Sequence, residues 1–377
     1  MRILLIGPCH PGGSIPPYLD VLAAALRRCG ARVHRIGSAG VPYEPAARAF
    51  WPADRILEHA SGLLRDTDIG AYDVISLHFG NLEIEQLLPV LWAGRRRAPV
   101  VCHVHSLEPA LFRSHVPDAA LRDAVDKATA AMDGYVFFGE HARRRLIGRT
   151  GAAVPATVAW LPATIPPGTR PAASPRLARA LAAAGGAPAG SLCGYAAPWK
   201  DPATLLTACQ QATAPARIVL AGPFWDDPAQ AGADLTRESA AFVPHGSVEV
   251  TVVAEYLGHG ARRALAAASH FAVFPYRPQP AFQGSGAIAD YLAHGVPVLA
   301  TDVANMAEIT GDAGLITPPG DPAAFAGSLD RFAADHAFRA RMRTAASQRA
   351  HLFTAGHHAR ACLRLYEQVT ATRKARS

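Results

Sequence analysis

The sequence lacks any apolar run that approaches the roughly 20 residues a helix needs to cross a bilayer. The apolar stretch within residues 1–7 is too short for a signal peptide, and no small-residue cleavage site follows it. This stretch is therefore predicted to be a first buried strand, and the protein is expected to be cytoplasmic.

The six cysteines include no CxxC pair and no spacing typical of zinc ligands, which favours reduced structural thiols. His103 and His105 lie on one face of a predicted strand, but no third ligand is suitably spaced, so a metal site is the less favoured interpretation. A DxD motif in a suitable loop is also absent. We therefore expect neither a metal nor another cofactor.

Charged residues are scarce, at 18% of the chain, and half of the residues are apolar, which excludes general disorder. The 37 basic and 30 acidic side chains give a net charge of +7. The arginine runs at 95–97 and 143–145 lack the interleaved aromatic residues of a nucleic-acid surface, so no nucleic-acid partner is expected. Peripheral contact with an anionic membrane is an alternative that is not favoured. An anionic ligand would account for part of the basic excess.

Short β-rich runs alternate with helical patterns along the whole chain. In the first half the predicted strands are 2–6, 32–36, 72–78, 100–105, 135–138 and 157–161, and a helix at 18–29 stops at Gly30. In the second half they are 192–195, 218–221, 248–252, 271–275, 296–301 and 315–317. Helices are predicted there at 202–212, 262–268, 286–294, 322–334 and 337–369. This alternation predicts an α/β protein with two doubly wound parallel sheets.

Proline, alanine and glycine dominate the segment between the two halves, which predicts a linker at 166–190. The expected domains are 1–165 and 191–350. Two such sheets that face each other would form a cleft, and ligands of doubly wound sheets bind beyond the carboxyl ends of the strands. The function is therefore sought in the loops that follow the strands.

The clearest of these loops contains Gly284-Ser285-Gly286, which opens a predicted helix. Small residues let a phosphate approach the N–H groups of a helix start, where the helix dipole adds about half a positive charge. Asp290 lies one turn further and can accept hydrogen bonds from ribose hydroxyls. A plain helix cap with a solvated Asp290 is the alternative interpretation.

Two further loops follow strands. Lys200 stands between a strand and a helix, where it can act as a point charge on a diphosphate. The glycine loop after the first strand contains Gly12 and Gly13 but is not GxGxxG and has no Walker lysine, so neither the dinucleotide fingerprint nor a P-loop is present. His78 and His105 also follow strands, and His105 is expected to contact substrate hydroxyls.

Together these residues resemble the retaining glycosyltransferases of family 4, which have the GT-B fold of two facing Rossmann-like domains. The most specific stretch is 285–290, continued at 295–298, and the segment 314–321 resembles the family's G-L-V-x-P-x-D turn. The last segment resembles the family's closing helix, which implies that 351–377 packs back on the first domain.

The resemblance implies roles for individual residues. Lys200 would bind the diphosphate, and His105 would contact the donor sugar, which makes these two the predicted catalytic residues. The residues predicted to bind the donor are Gly13, Tyr195, Gln283, Gly284, Ser285, Gly286 and Asp290. The residues predicted to bind the acceptor are Gly12, His78 and Glu108.

The chain departs from the family pattern at both ends of the donor site. Tyr195 stands where the family usually has an arginine, and the EX7E motif begins with Phe282 and ends with Asp290. Gln283 is expected to substitute in part for the missing glutamate. These changes bear on the identity of the donor.

The predicted function is metal-independent transfer of a sugar from a nucleotide-diphosphate sugar, with UDP favoured, to a hydroxyl of a small acceptor such as an aminoglycoside. Lipid or cell-envelope glycan acceptors are the main rival class. An NDP-sugar 2-epimerase and a non-catalytic nucleotide-sugar-binding partner protein are the alternatives. The sequence gives no prediction of the oligomeric state.

Overall fold

The computed structural model of the chain describes residues 1–10, 13–44, 46–47, 49–65, 67–92, 98–108, 111–150, 154–182, 186–194, 197–223 and 246–375. Contacts divide the chain into two compact units. Unit 1 comprises Met1–Leu161, Pro280–Gln283 and Ala355–Ser377, and unit 2 comprises Pro162–Gln279 and Gly284–Thr354. No helix in the described part of the chain is long and apolar enough to span a bilayer.

Unit 1 is built on a parallel six-stranded sheet. Its strands are Arg2–Ile6 (β1), Arg32–Ile36 (β2), Tyr43–Glu44 (β3), Ala49–Phe50 (β4), Val74–Phe79 (β5), Val100–Val104 (β6), Gly134–Phe137 (β7) and Ala156–Val158 (β8). Its helices are Ile15–Arg28 (α1), Ala53–Arg65 (α2), Leu88–Leu91 (α3), Ala119–Ala130 (α4), Glu140–Thr150 (α5) and, at the end of the chain, Ala355–Lys374 (α13). The sheet order is β2-β1-β5-β6-β7-β8, and β3 and β4 form a separate antiparallel pair.

Unit 2 repeats this architecture with a different strand order. Its strands are Ala189–Cys193 (β9), Ala216–Ala221 (β10), Val248–Val253 (β11), Phe271–Phe274 (β12), Val298–Thr301 (β13) and Gly314–Thr317 (β14). Its helices are Pro175–Ala182 (α6), Pro202–Gln211 (α7), His259–Ala268 (α8), Gly286–Ala293 (α9), Met306–Thr310 (α10), Pro322–Ala334 (α11) and His336–Arg349 (α12). The sheet order is β11-β10-β9-β12-β13-β14, and all of these neighbours are parallel.

Burial on both faces explains why the strand sequences are continuous apolar runs rather than alternating ones. Every residue of β5, β6 and β7 is buried in unit 1, and every residue of β12 and β13 in unit 2. The predicted fold of two parallel sheets with helices is therefore confirmed.

Three helices of unit 2 begin at an aspartate cap. The carboxylates of Asp201, Asp321 and Asp335 each accept a hydrogen bond from the backbone N–H three residues later, at 3.3, 2.9 and 2.8 Å. Aspartate is among the best N-cap residues because it satisfies an N–H that has no partner within the helix. These caps fix where α7, α11 and α12 begin.

Three features differ from the sequence predictions. The segment 166–190, predicted as a linker, contains α6, because its alanine, leucine and arginine residues favour helix. The predicted tail helix at 337–369 is broken by a 3-10 turn, Ala350–Phe353, between α12 and α13. The pair β3–β4 was not predicted, because two-residue strands leave no periodic signal.

The last helix, α13, belongs to unit 1, where it packs against α1. Cys362, Leu365, Tyr366 and Val369 are buried in the same core as β1 and α1. The sheet of unit 1 is therefore covered by chain from both ends of the sequence.

Arg217 on β10 ties α6 to the sheet of unit 2. Its side chain is 3% exposed, and Nη1 and Nη2 donate to the carbonyl oxygens of Ala180 and Leu181 at 2.9 and 3.2 Å. These carbonyls lie in the last turn of α6, where a positive charge is favourable.

We predict that Arg217→Met lowers the free energy of unfolding of unit 2 by about 2 kcal/mol, because it leaves buried carbonyls without donors. Urea unfolding measures this loss. The matched control is Arg176→Met, which changes an exposed arginine of α6 itself and should shift the free energy by less than about 0.5 kcal/mol. Equal effects of the two substitutions would contradict the capping role.

Candidate active site

The strand order of unit 2 reverses between β9 and β12, which are neighbours although β10 and β11 lie between them in sequence. In open parallel sheets, ligands bind beyond the strand ends at this reversal. The loop after β9 carries Lys200, and the loop after β12 carries Ser285 and the start of α9. The structure thus brings both predicted donor-site segments to the strand reversal, and their contact with a donor stays a prediction.

Lys200 lies in the 3-10 turn Pro198–Lys200. Its Nζ lies 5.8 Å from the ring centroid of Tyr276, and none of the described residues forms an ion pair with it. Burial lowers the pKa of Lys200 from its ordinary 10.5 to about 8, because desolvation penalises the charged form. Lys200 therefore holds a positive charge at neutral pH, and no carboxylate of the described residues neutralises it.

The turn that presents Lys200 is held on both sides. Gly194 has φ +131°, and a Cβ on it would lie 2.5 Å from Lys200 Nζ, so a side chain at this position would displace the ammonium. Asp201 has φ +47°, unusual for a residue other than glycine, and accepts from Arg277 Nη2 at 2.7 Å. The backbone N–H of Arg277 donates to the Trp199 carbonyl at 2.9 Å. These contacts fix the direction of the lysine.

The start of α9 has no hydrogen bond to the side chain of its own N-cap residue. Ser285 is the N-cap residue, but its side chain makes no capping hydrogen bond; Ser285 Oγ lies 3.5 Å from Tyr276 OH instead. A Cβ on Gly284 would lie 2.2 Å from Asn305 Oδ1, so only glycine fits there. Tyr276 thus lies beside both Lys200 and Ser285, and Gly286 is the first residue of the helix.

Asp290 has several partners within unit 2. Oδ1 accepts from the backbone N–H of Thr164 at 2.6 Å and of Ile165 at 3.3 Å, and Arg262 Nη1 donates to Oδ2 at 2.8 Å. A small pocket beside it is also lined by Cys193. Asp290 therefore organises the chain at 164–165, and its predicted contact with a ribose stays a prediction.

In unit 1 the strand order reverses between β1 and β5. The glycine loop follows β1, and Gly13 there has φ +83° and precedes the N-cap residue Ser14 of α1. Gly12 and Tyr195, predicted to bind acceptor and donor, lie outside the described residues. Glu108 is half-buried, and its backbone N–H donates to Ser106 Oγ at 3.3 Å.

Gln283 belongs to unit 1, although the neighbouring Gly284 belongs to unit 2. Its Nε2 donates to the carbonyl oxygen of Val104, at the end of β6. In the same segment, the Ala281 carbonyl accepts from the backbone N–H of Leu107 at 3.0 Å. The amide of Gln283 is thus fixed one residue before His105, and its predicted contact with donor hydroxyls stays a prediction.

The predicted histidines cluster at the ends of β5 and β6. His78 Nδ1 lies 3.2 Å from His105 Nε2, and the rings of His78 and His103 are 4.1 Å apart. His78 and His103 are fully buried, whereas His105 is partly exposed. Burial, followed by the neighbouring imidazoles, lowers the pKa of His105 to about 3 and that of His78 well below its ordinary value. These histidines are therefore neutral at physiological pH.

One group of potential metal ligands is found among the described residues: His103, His358 and Cys362 offer ligand atoms within 4.8 Å of one another. Both ring nitrogens of His103 and of His358 already form hydrogen bonds with protein groups. A metal ion would have to displace these bonds, so a polar network explains the cluster better than a metal site does.

Glu83 and Glu85, which follow β5, were not predicted as site residues from the sequence. Glu83 Oε2 accepts from the backbone N–H groups of Gly80 and Leu82 at 2.7 and 3.1 Å. Glu85 is 0% exposed and accepts from the Ser38 N–H at 2.6 Å through Oε1. Burial raises the pKa of Glu85 to about 7. A glutamate inside a helical apolar pattern gives no sign in the sequence that it is buried.

We predict that Glu85 makes the stability of unit 1 depend on pH. Because its pKa rises from about 4.5 in the unfolded chain to about 7 in the folded one, the stability that Glu85 contributes is fully present below about pH 4.5 and is lost as pH rises through about 7. The loss relative to Glu85→Gln should amount to roughly 3 kcal/mol. Urea unfolding at pH 5 and pH 8 tests this, with the exposed Glu58→Gln as control. Parallel pH dependence of wild type and Glu85→Gln would contradict it.

Comparison with known proteins gives the enzyme class. A family model described as glycosyl transferases group 1 matches residues 189–335. The fold is similar to sucrose-phosphate synthase from Thermosynechococcus elongatus, with TM-score 0.72 and 18% identity over 98% of this chain and 99% of that one. It is also similar to HepE from Anabaena, solved in complex with UDP-glucose, with TM-score 0.68 and 16% identity over 100% of both chains.

A glycosyltransferase from Rickettsia africae ESF-5 is similar as well, with TM-score 0.62 and 14% identity over 98% of both chains. No curated protein matches the chain significantly. The structural likeness, at these identities, gives the fold, and the family match covers most of unit 2. The protein is therefore a glycosyltransferase with the GT-B fold.

Proposed function

We propose that the protein transfers a sugar from a nucleoside-diphosphate sugar, with UDP as the favoured nucleotide, to a hydroxyl of a small acceptor. The observation that carries this proposal is the ammonium of Lys200 at the strand reversal of unit 2, which forms no ion pair with any described residue. An anionic ligand is the natural partner of a half-buried cation at this position. Two similar structures, those of HepE in complex with UDP-glucose and with UDP, support the choice of nucleotide.

The chemistry follows from where charge develops. As the bond between the sugar and the diphosphate breaks, negative charge grows on the leaving diphosphate. Lys200 and the backbone N–H groups at Ser285 and Gly286 are fixed before the reaction and would stabilise that charge. Because these groups supply positive charge themselves, we propose transfer without a metal ion.

His105 is proposed to contact a hydroxyl of the donor sugar, and Asp290 is proposed to reach the ribose. Support for His105 comes from its partial exposure at the end of β6. The resemblance to family 4 favours retention of the anomeric configuration, with the leaving phosphate taking the proton of the acceptor. Gly12, Gly13 and Glu108 remain the residues proposed near the donor and acceptor in unit 1. His78, also predicted to bind the acceptor, is fully buried with both ring nitrogens bonded to Ser76 and His105, so it is proposed to act through His105. An aminoglycoside-like acceptor and a cytoplasmic location are further parts of the proposal.

We predict that Lys200→Met weakens UDP binding by roughly 10- to 100-fold, because one charge-assisted hydrogen bond to the diphosphate is lost. The rate of sugar transfer should fall by roughly 100- to 1000-fold. Calorimetric titration with UDP, GDP and dTDP, without added metal, measures the first effect. Release of UDP from UDP-sugars over an acceptor panel measures the second.

The matched control is Lys127→Met, on helix α4 of unit 1, which should leave both quantities unchanged. Wild-type binding of UDP by Lys200→Met would rule out the assignment of Lys200. Binding of UDP-sugar without turnover by any acceptor would instead indicate a non-catalytic binding protein.

The lowered pKa of Lys200 predicts a pH dependence of UDP binding. Lysine is charged below its pKa, so affinity should be constant below about pH 8 and fall above it, by up to about tenfold for each pH unit. Titrations from pH 7 to pH 9.5 measure this fall. Lys200→Arg keeps its charge throughout this range and should show a flat profile. The same fall in Lys200→Arg would show that another group titrates.

A further inference from the structure

A continuous line of buried polar side chains runs through unit 1, and the proposed transfer chemistry draws directly only on its outer end, at His105. Most of its members are fully buried in an apolar core, where unpaired polar groups are unfavourable. We call it the polar relay, and its members in order of contact are His358, Tyr18, His103, Tyr366, Ser76, His78 and His105.

The donor and acceptor roles along the relay are set at its first member, His358. His358 Nδ1 lies 2.9 Å from the carbonyl oxygen of Trp160, which can only accept, so Nδ1 carries the hydrogen. Burial lowers the pKa of His358 to about 4, so the ring is neutral and Nε2 has a lone pair. Tyr18 OH lies 2.8 Å from this Nε2 and donates to it.

Each later contact then has one permitted direction, because a hydroxyl has a single hydrogen and a neutral imidazole has one donor and one acceptor. Since Tyr18 donates to His358, its oxygen accepts from His103 Nδ1 at 2.9 Å. His103 Nε2 is then a lone pair, which accepts from Tyr366 OH at 2.7 Å.

The same rule sets the direction of the remaining hydrogen bonds, as far as His105. Tyr366 OH accepts from Ser76 Oγ at 2.7 Å, and Ser76 Oγ accepts from His78 Nε2 at 2.8 Å. His78 Nδ1 then accepts from His105 Nε2 at 3.2 Å. His105 is left with its hydrogen on Nε2 and a lone pair on Nδ1, and none of the described residues forms a hydrogen bond with that Nδ1.

We propose that the polar relay fixes His105 as the Nε2–H tautomer, so that its Nδ1 recognises a group that donates a hydrogen bond. The chemical class it takes is a hydroxyl, and a carboxylate, phosphate or carbonyl oxygen at the same position would be rejected. Tyr18, Ser76 and Tyr366 are then positioning residues that act through His78. That the hydroxyl belongs to the sugar substrate rests on the proposed function; the tautomer does not.

Cys362 is the other donor near His358, with Sγ 3.5 Å from Nε2. A thiol is a weak donor, and the Tyr18 hydroxyl is closer. Removing the thiol should therefore leave the direction of the hydrogen bonds in the relay unchanged, whereas removing the Tyr18 hydroxyl should allow that direction to reverse.

Two-bond ¹H–¹⁵N correlation spectra of the full chain, labelled on histidine and free of ligand, report the tautomer of each ring. His105→Gln assigns the His105 signals by their loss. We expect His105 as the Nε2–H tautomer, unchanged between pH 6 and pH 8. In Tyr18→Phe, His103 Nδ1 loses its acceptor, and an orphaned buried N–H is worse tolerated than a lone pair. The relay should then reverse and shift His105 towards the Nδ1–H tautomer.

The controls are Cys362→Ala and Tyr135→Phe, which removes a buried hydroxyl of unit 1 that donates to the Thr129 carbonyl outside the relay. Both should keep the wild-type His105 signals. Tyr366→Phe breaks the relay at a second place and serves if Tyr18→Phe does not fold. An Nδ1–H tautomer or an imidazolium in the wild type would overturn the proposal, as would an unchanged tautomer in the folded relay variant. The spectra are recorded without substrate, so they report the tautomer of His105 even if the protein proves to have no transferase activity.

Discussion

Parallel pairing is the constraint on which the site depends. It places the carboxyl ends of all strands of a sheet at one edge, and the loops diverge only where the strand order reverses. In unit 2 this reversal lies between β9 and β12, so the loops that leave it carry Lys200 and the start of α9. In unit 1 it lies between β1 and β5, next to the strand that ends before His105. The candidate site residues therefore lie in loops whose positions are set by the backbone hydrogen bonding of the two sheets.

Burial then sets the protonation state of each group near those strand ends. In unit 2 it lowers the pKa of Lys200 only to about 8, which preserves a cation at neutral pH. In unit 1 it lowers the pKa of His105 to about 3, which preserves a neutral ring. One unit thus offers charge, suited to a diphosphate, and the other offers directed hydrogen bonds, suited to sugar hydroxyls. The two units differ in this way because desolvation lowers the pKa of both side chains, and the ordinary pKa of lysine is much higher than that of histidine.

Much of this arrangement could be predicted from the sequence, because buried parallel strands leave continuous apolar runs and the loops after them carry glycine, lysine and histidine. Lys200 and the 284–286 turn were found in this way. Tyr366 could not be linked to His103, because 263 residues separate them and only packing of α13 brings them together. Nor could Arg262 be assigned to Asp290, since ion pairs between elements leave no periodic trace. The helix α6 was obscured because prolines and glycines surround a short alanine-rich stretch.

The central claim, that the strand reversal of unit 2 binds the diphosphate of a nucleotide sugar, is tested most directly by a crystal structure of the protein with UDP. We expect phosphate oxygens within hydrogen-bonding distance of Lys200 Nζ and of the backbone N–H groups at Ser285 and Gly286. A diphosphate bound elsewhere, with Lys200 turned to solvent, would contradict it.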